Sequence, residues 1–414
     1  FGPRAGQVNG AWAPRSAGST FKPFTCLLAL EAGMTPATVM ADVPTDFATP
    51  TGIFSPQNYN RRFYGPVSLR HALANSLNVT AVKVLEKSGG AAALQRRLQQ
   101  CGLTTLNAKA NYYGLGLTIG NAETRLLELA NAYATLARLG VHRPVRLLKT
   151  DSRSAEQIFD ARHAWLLADI LSDNDARAQS FGWDSALAFD FPVACKTGTS
   201  SDFRDNWAIG FTPEFTVGVW VGNFDGSPMR EVSGVTGAAP VMHTVMVEMQ
   251  RRFDTTWYAR PNGIMSAKVH PLTGKQSRHG DAEWFLENNL PPKEKSTDRD
   301  AAGRVKLGAE YAEWFASRDN TLGNRAVLDP ARAAAVRVLS PLPGTVFFLD
   351  PDLPATSRQV RLRVTAANAR WTSGTLKCIA REDGVFARLQ PGRHRLTAIV
   401  NGQRLETWID VEEL

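Results

Sequence analysis

Apolar residues at Phe21, Phe24, Leu27, Leu28 and Leu30 recur at helical spacing and predict a buried helix that ends near Gly33. Pro23 fits that helix only in its first turn, where a missing N–H costs little. Ser68 is a good N-cap for a second helix through Leu69, Leu73 and Ala74. Helical patterns also cover Thr80–Lys87, stopped by Gly89-Gly90, then Glu123–Leu139, stopped by Gly140, and Ala164–Leu171. Two strand-like runs, Asn206–Phe211 and Phe215–Val221, flank Thr212-Pro213-Glu214 and read as a hairpin. Pro240–Met249 returns to the helical period. Strands late in the segment, with helices before and after, predict an α+β domain: an antiparallel sheet covered by helices.

The pattern weakens after residue 253. Residues 254–330 read as an extension, and Pro291–Asp300 within it as an exposed polar linker. Residues 331–414 carry short β-rich runs at Val336–Leu339, Val346–Leu349, Gln359–Val364 and His394–Val400. Turn signals at Pro343-Gly344, Pro391-Gly392 and Asn401-Gly402 separate them. This predicts a small all-β sandwich after the domain of residues 1–253.

A net charge of +8 admits anionic partners, but the basic residues are spread among apolar ones and no groove-reading motif accompanies them. Nucleic acid is therefore not an expected partner. Cys26, Cys101, Cys195 and Cys378 form no C-x-x-C pair and the seven histidines are scattered, so no metal or other cofactor is expected. The cysteines read as buried thiols, with one disulfide compatible with an oxidising compartment. No apolar run approaches the ~20 residues that span a bilayer, and the start at Phe1 reads as that of a fragment from which any anchor has been removed.

Three short segments carry chemistry. In Ser19-Thr20-Phe21-Lys22 the serine and lysine are three apart, on one face of a helix. A serine hydroxyl needs a base, and a lysine becomes one when burial or a second cation depresses its pKa. Ser76-Leu77-Asn78 lies between two predicted helices; its hydroxyl can relay a proton and its amide can orient Lys22 or hold a substrate amide. Ser172-Asp173-Asn174 matches a Ser-x-Asn pattern too, but its place at a helix end reads as a solvated cap. Lys196-Thr197-Gly198-Thr199 follows the apolar run Phe191–Ala194, with Pro192 suited to an edge strand or strand start. An edge glycine lets a peptide lie along the strand. Lys196 offers charge to a carboxylate, Thr197 and Thr199 offer hydroxyls, and the backbone N–H groups of Ser19 and Thr199 suit an oxyanion hole.

Ser-x-x-Lys, a Ser-x-Asn segment and Lys-Thr-Gly in this order form a set shared by penicillin-binding proteins and class A β-lactamases. With Gln7-Val8-Asn9-Gly10, the run Arg15–Phe24, Ala74-Asn75-Ser76-Leu77-Asn78, Lys196–Ser200 and the hairpin Trp207–Asn223, roughly residues 1–250 resemble a class A penicillin-binding protein. Ile170–Arg177 and the C-terminal residues resemble one subtype, with an appended β domain. The resemblance implies a penicillin-binding transpeptidase fold and a bacterial enzyme at the periplasmic face of the inner membrane. Its parent would be bifunctional, with an anchored glycosyltransferase domain before the transpeptidase, so no glycan polymerisation is expected of this chain. It implies attack by Ser19 on peptidoglycan stem peptides ending in D-Ala-D-Ala, acylation by β-lactam antibiotics, and a C-terminal domain that docks other cell-wall proteins or only packs.

Two other classes remain open at this point: a hydrolase, either a D,D-carboxypeptidase or a β-lactamase, and a non-catalytic β-lactam sensor. A β-lactamase needs a deacylating base, yet no Glu-x-x-x-Asn lies between Ser76 and Lys196; Glu128 and Asn131 are one residue too close.

Overall fold

The apolar spacing of the N-terminal half becomes a layer of helices in the computed structural model. It describes residues 6–49, 52–148, 150–151, 154–329, 336–349, 358–365, 369–381, 384–400 and 402–413. They fall into two units. One comprises Phe1–Asp42, Asn58–Val305 and Thr321–Arg325; the other comprises Val43–Gln57, Lys306–Asn320 and Ala326–Leu414.

The helices of unit 1 are α1 (Lys22–Glu31), α2 (Leu69–Ala74), α3 (Asn78–Lys87), α4 (Gly90–Gln100), α5 (Ala110–Tyr113), α6 (Leu126–Ala137), α7 (Ala161–Ser172), α8 (Asn174–Phe181) and α9 (Ala238–Phe253). Ser68 caps α2 by accepting the His71 N–H, as its position predicts. Gly89-Gly90 ends one helix and begins α4, which the apolar pattern did not reveal.

A three-stranded antiparallel sheet lies among them, with Asp205–Phe211 in the middle, Thr216–Gly222 on one side and Ala194–Thr199 at the other edge. Side chains alternate between its faces. Trp207, Ile209 and Phe211 join a large core with Phe21, just before α1, and Phe24 and Leu27 of α1, all 0% exposed. Ala208 and Cys195 face Met242 and Met246 of α9 instead. Each fully buried side chain of this size stabilises by roughly 1.5–3 kcal/mol, so the central strand is fixed from both faces.

Residues 254–305 are part of unit 1. The strands Ile264–Val269 and Asp281–Leu286 pair, and Trp284 meets Trp165 of α7 edge-on, with ring centroids 5.8 Å apart. Glu283 and two acids near α7, Asp169 and Asp173, surround the Arg70 guanidinium of α2 at 2.5–2.9 Å. The polar run Pro291–Asp300, expected as an exposed linker, folds back: Asp298 is 3% exposed and pairs with Lys275 at 2.6 Å.

Unit 2 contains two four-stranded sheets that share one apolar core, a β-sandwich as the sequence predicts. Trp371 is in that core, whereas Trp408 is 40% exposed. Residues 43–57, read from sequence as part of the first domain, belong to this unit and contribute the short hairpin Phe47–Thr49 and Gly52–Phe54. Ala331 and Asn401 lie outside the described residues.

Two close glycine contacts bring the start of α1 to the sheet. Gly18 has φ +53°, and a Cβ there would lie 2.8 Å from Thr199 N; a Cβ on Gly120 would overlap the backbone N and O of Gly18. Gly303 is also left-handed but has nothing within 4 Å. Gly303→Ala is therefore expected to cost about 1 kcal/mol, the conformational penalty alone. Gly120→Ala adds a backbone collision and is expected to cost ~3 kcal/mol or more. Thermal unfolding of the two variants measures the difference, and equal shifts would refute a tight Gly18–Gly120 contact.

Candidate active site

Ser19 sits on a 3-10 turn, Gly18–Phe21, that runs directly into α1, so Lys22 is the first α-helical residue. The turn is held from outside: Trp207 Nε1 donates to Ser16 O at 2.8 Å and Tyr133 OH donates to Thr20 O at 2.6 Å. Ser19 is half-buried and lines a cleft of about 420 Å³ together with Ser76, Asn78, Thr197, Gly198 and Thr199. Five of the residues singled out from sequence thus converge with Ser19 on one cleft, and the two lysines, 1% and 3% exposed, are buried beside it.

Lys22 Nζ reaches Ser76 O at 2.5 Å, Asn78 Oδ1 at 2.6 Å and Ser76 Oγ at 3.2 Å. Lys196 Nζ donates to Ser76 Oγ at 2.7 Å and to Thr197 O at 2.8 Å. Ser76 therefore lies between the two amines. Burial, and then the charge on Lys196, hold the Lys22 pKa well below the ordinary lysine range. Burial brings Lys196 down to about 7; Cys26 opposes that shift and Arg177 adds to it. Cys26, one turn along α1, is itself pushed up to about 12 by burial and stays a neutral thiol. The Ser19 hydroxyl makes no hydrogen bond among the described residues, so the Ser19–Lys22 pairing expected from their spacing is not formed here. Such contacts are often long without substrate.

The turn that carries Ser76 has a specific form. Asn75 is the C-cap of α2; Ser76 N donates to Leu73 O at 3.0 Å and Leu77 N donates to Ala72 O at 2.9 Å. This is a Schellman motif, whose left-handed residue is usually glycine. Here it is Ser76, with φ +57°. Asn75 ties the turn to α8: its Nδ2 donates to Ala176 O at 2.6 Å and its Oδ1 accepts the Ser180 N–H at 2.9 Å.

The Lys-Thr-Gly segment lies on the edge strand Ala194–Thr199, as the sequence predicts. The strand starts two residues after Pro192, which cannot donate to a ladder. A Cβ on Gly198 would lie 2.7 Å from Thr20 Cγ2 and 3.4 Å from Ser19 N, so the strand and the Ser19 turn are in direct contact. Gly234 N donates to Thr199 Oγ1 at 2.9 Å, which orients that hydroxyl.

The alternative Ser172-Asp173-Asn174 is structural. Asp173 caps α8 through the Ala176 N–H at 2.8 Å and pairs with Arg70. All four cysteines are free thiols, so the disulfide the sequence allowed is not formed. Among the described residues no group of three or more His, Cys, Asp or Glu could hold a metal ion, and no helix is long and apolar enough to cross a membrane. Sequence reasoning missed Asn58, Gly120 and Gly234, which are single loop residues. The poor N-cap Leu77 was the one available hint that another residue caps α3.

Comparison with known proteins agrees with this geometry. Residues 7–246 match the family described as the penicillin binding protein transpeptidase domain. The chain is 32% identical over 371 residues to penicillin-binding protein 1C of Escherichia coli, covering 87% of this chain and 45% of that protein. It is 30% identical over 323 residues to penicillin-binding protein 1A of Neisseria meningitidis, covering 73% and 40%. The chain thus spans less than half the length of these curated relatives. The crystal structure of penicillin-binding protein 1A from Haemophilus influenzae is similar with a TM-score of 0.60 at 22% identity, over 70% of this chain and 50% of that one. The penicillin-binding protein PonA1 from Mycobacterium tuberculosis is similar with a TM-score of 0.54 at 21% identity, over 71% and 79%. At these identities the structures speak to the fold.

The turn at Ser76 makes a prediction about stability. Ser76→Ala and Ser76→Gly both remove the hydroxyl, but only glycine removes the left-handed penalty. Ser76→Gly is expected to be more stable than Ser76→Ala by about 1 kcal/mol, measured by denaturant unfolding. Equal stability would mean that the backbone at Ser76 is unstrained.

Proposed function

The chain belongs to the penicillin-binding protein transpeptidase family, and from that premise we propose that it is a serine D,D-transpeptidase in which Ser19 is the nucleophile. The observation that carries this reading is the placement of Ser76 between two buried lysines beside Ser19. Neutral Lys22 takes the Ser19 proton as Oγ attacks the penultimate D-alanine carbonyl of a stem peptide. The tetrahedral oxyanion accepts hydrogen bonds from the backbone N–H groups of Ser19 and Thr199. As the carbon–nitrogen bond breaks, the leaving D-alanine amine receives a proton through Ser76, and an acyl ester on Ser19 remains. The amine of a second stem peptide then attacks the ester, loses its proton along the same path, and releases Ser19 with a new cross-link.

Ser76 suits the relay because its oxygen accepts from both Lys22 and Lys196, which leaves its own hydrogen for the D-alanine amine. Lys196, Thr197 and Thr199 hold the terminal carboxylate, and Gly198 leaves room for the peptide along the strand edge. Asn78 orients Lys22. A β-lactam acylates Ser19 in place of the donor peptide. This reading implies a protein that works at the periplasmic face of the inner membrane, where cell-wall peptides are. A fast hydrolase is disfavoured: the one carboxylate among the cleft-lining residues is Asp202, 70% exposed and facing Arg204. Glu128, the nearest match to a deacylating base in sequence, is bound to Thr104 and Arg125.

Intact-protein mass after incubation with a penicillin is expected to show a long-lived adduct in the wild type and none in Ser19→Ala. An adduct in Ser19→Ala would remove Ser19 from its role, and rapid loss of the wild-type adduct would favour a β-lactamase. The pH profile follows from the two lysines. The second-order acylation constant reports free-enzyme pKa values. It is expected to fall on the acid side as Lys22 gains a proton at its depressed pKa, and on the basic side as Lys196 loses its charge near 7. Lys196→Arg keeps its charge at all these pH values and is expected to lack the basic limb. A flat wild-type profile would contradict both assignments.

A further inference from the structure

Helix α3 begins on a residue that cannot cap it. Leu77 occupies its N-cap position and offers no side-chain acceptor, although the first N–H groups of a helix need one. The acceptor comes from elsewhere in unit 1. Asn78 N donates to Asn58 Oδ1 at 2.8 Å, and Val79 N approaches the same oxygen at 3.5 Å. The Asn58 amide has one orientation available, because its Nδ2 donates to Asp42 Oδ2 at 2.8 Å and to Arg62 O at 2.9 Å. Tyr64 N donates to the same Asp42 oxygen at 2.9 Å. Asn58 is 3% exposed and Asp42 0%, so water does not compete for these bonds.

This arrangement ends at the chemistry. The residue that Asn58 caps is Asn78, whose Oδ1 faces Lys22 Nζ at 2.6 Å. Three hydrogen bonds thus connect Asp42, Asn58, Asn78 and Lys22. The chain also leaves unit 1 after Asp42 and returns to it at Asn58, so the Asp42–Asn58 bond closes the base of the excursion 43–57. An ordinary N-cap residue at position 77 would satisfy the helix without fixing it to anything else; a distant cap fixes the helix start to a second, buried point.

We propose that Asn58, oriented by Asp42, is a positioning residue for acyl transfer: it caps α3 in place of Leu77 and so holds Asn78 against Lys22. This rests on the reading of Ser19 and Lys22 as nucleophile and base. Asn58 lines the cleft, but its Oδ1 and Nδ2 are taken up by Asn78 N, Asp42 Oδ2 and Arg62 O, so it acts on the reacting atoms through Asn78. Its loss lets Asn78 Oδ1 drift from Lys22, which slows the chemical step more than it weakens binding. It also removes an acceptor that favours the Lys22 ammonium, so the Lys22 pKa falls further. The titratable groups acting on Lys22 are Lys196, Cys26 and Asp42; Asn58→Ala removes the hydrogen bond that lowers the Asp42 pKa, and a less ionised Asp42 lowers the Lys22 pKa in the same direction.

The test is stopped-flow labelling of the full chain with a fluorescent penicillin, for wild type, Asn58→Ala, Asn58→Asp and the swapped pair D42N/N58D. Asn58→Ala is expected to slow the first-order acylation step about tenfold or more, to leave the noncovalent Kd within about twofold, and to move the acid limb to lower pH. Asn58→Asp keeps the cap but sets two carboxylates side by side, and is expected to be slow as well. The swapped pair restores one carboxylate and one amide but leaves Arg62 O without its donor, and is expected to be faster than Asn58→Asp without reaching the wild-type rate. A folded Asn58→Ala with the wild-type rate and acid limb overturns the proposal, as does a swapped pair no faster than Asn58→Asp. Should Asn58→Ala not fold, the swapped pair decides. A wild type that takes no label, or Ser19→Ala labelled like the wild type, overturns the underlying function instead.

Discussion

Two lysine side chains buried side by side cannot both remain ammonium ions without an anion to compensate them. Burying one charge costs several kcal/mol even after relaxation, and the second adds repulsion. The acceptors supplied to Lys22 and Lys196 are a serine hydroxyl, an asparagine amide and two backbone carbonyls. These are dipoles. They satisfy N–H groups but do not hold a proton on nitrogen as a carboxylate would. Cys26, the nearest group that might become an anion, is kept neutral by burial. Burial, with the charge of Lys196, thus holds the Lys22 pKa well below its ordinary range, and burial brings Lys196 to about 7.

The same unit shows the opposite solution. Arg70 is also buried, and Asp169, Asp173 and Glu283 surround it. Hydrogen bonds and charge from these acids outweigh desolvation and push its pKa up. That cation joins α2, α7 and the hairpin of residues 264–286 and has no proton to exchange. Whether a buried cation is a strut or a base is therefore decided by its acceptors. The motif at Ser19 works because the fold bonds its lysines to dipoles and leaves the one nearby carboxylate, Asp42, to act without a hydrogen bond.

This explains what was legible in the sequence. Ser19 and Lys22 are three residues apart, so their common face follows from helical geometry alone. Ser76, Asn78 and Lys196 belong to short segments whose residue types already name a chemistry. The structure brings all of them together. Asn58, Asn75 and Gly234 act through tertiary hydrogen bonds, and a lone asparagine or glycine has no period to betray it. The edge strand was legible, but not the burial of Lys196 and Thr197 on it, which depends on partners far along the chain. Asp173 was legible too: a Ser-Asp-Asn triplet at a helix end reads as a cap, and Asp173 caps α8 through the Ala176 N–H. Domain limits suffered most. Residues 43–57 lie between elements of unit 1 in sequence yet belong to unit 2, and no hydrophobic pattern states which core a short hairpin will join.

The strain at Ser76 follows from the same demand. The Schellman turn at the end of α2 wants glycine at its left-handed position, and serine there costs ~1 kcal/mol. Glycine would make a more stable protein but leave nothing between the two amines, and asparagine, the other residue tolerant of this conformation, would bring an amide that cannot pass a proton. A serine on a relaxed loop could carry the hydroxyl, but not at a fixed place: the turn is what aims both Ser76 O and Ser76 Oγ at Lys22. The surrounding structure sustains the strain because α2 is anchored through Arg70, α8 through Asn75, and α3 through Asn58. Each anchor is buried and polar, so each is costly to leave unmade. Stability from three directions is thus concentrated on one serine, which keeps an unfavourable backbone conformation so that its hydroxyl can face two lysines at once.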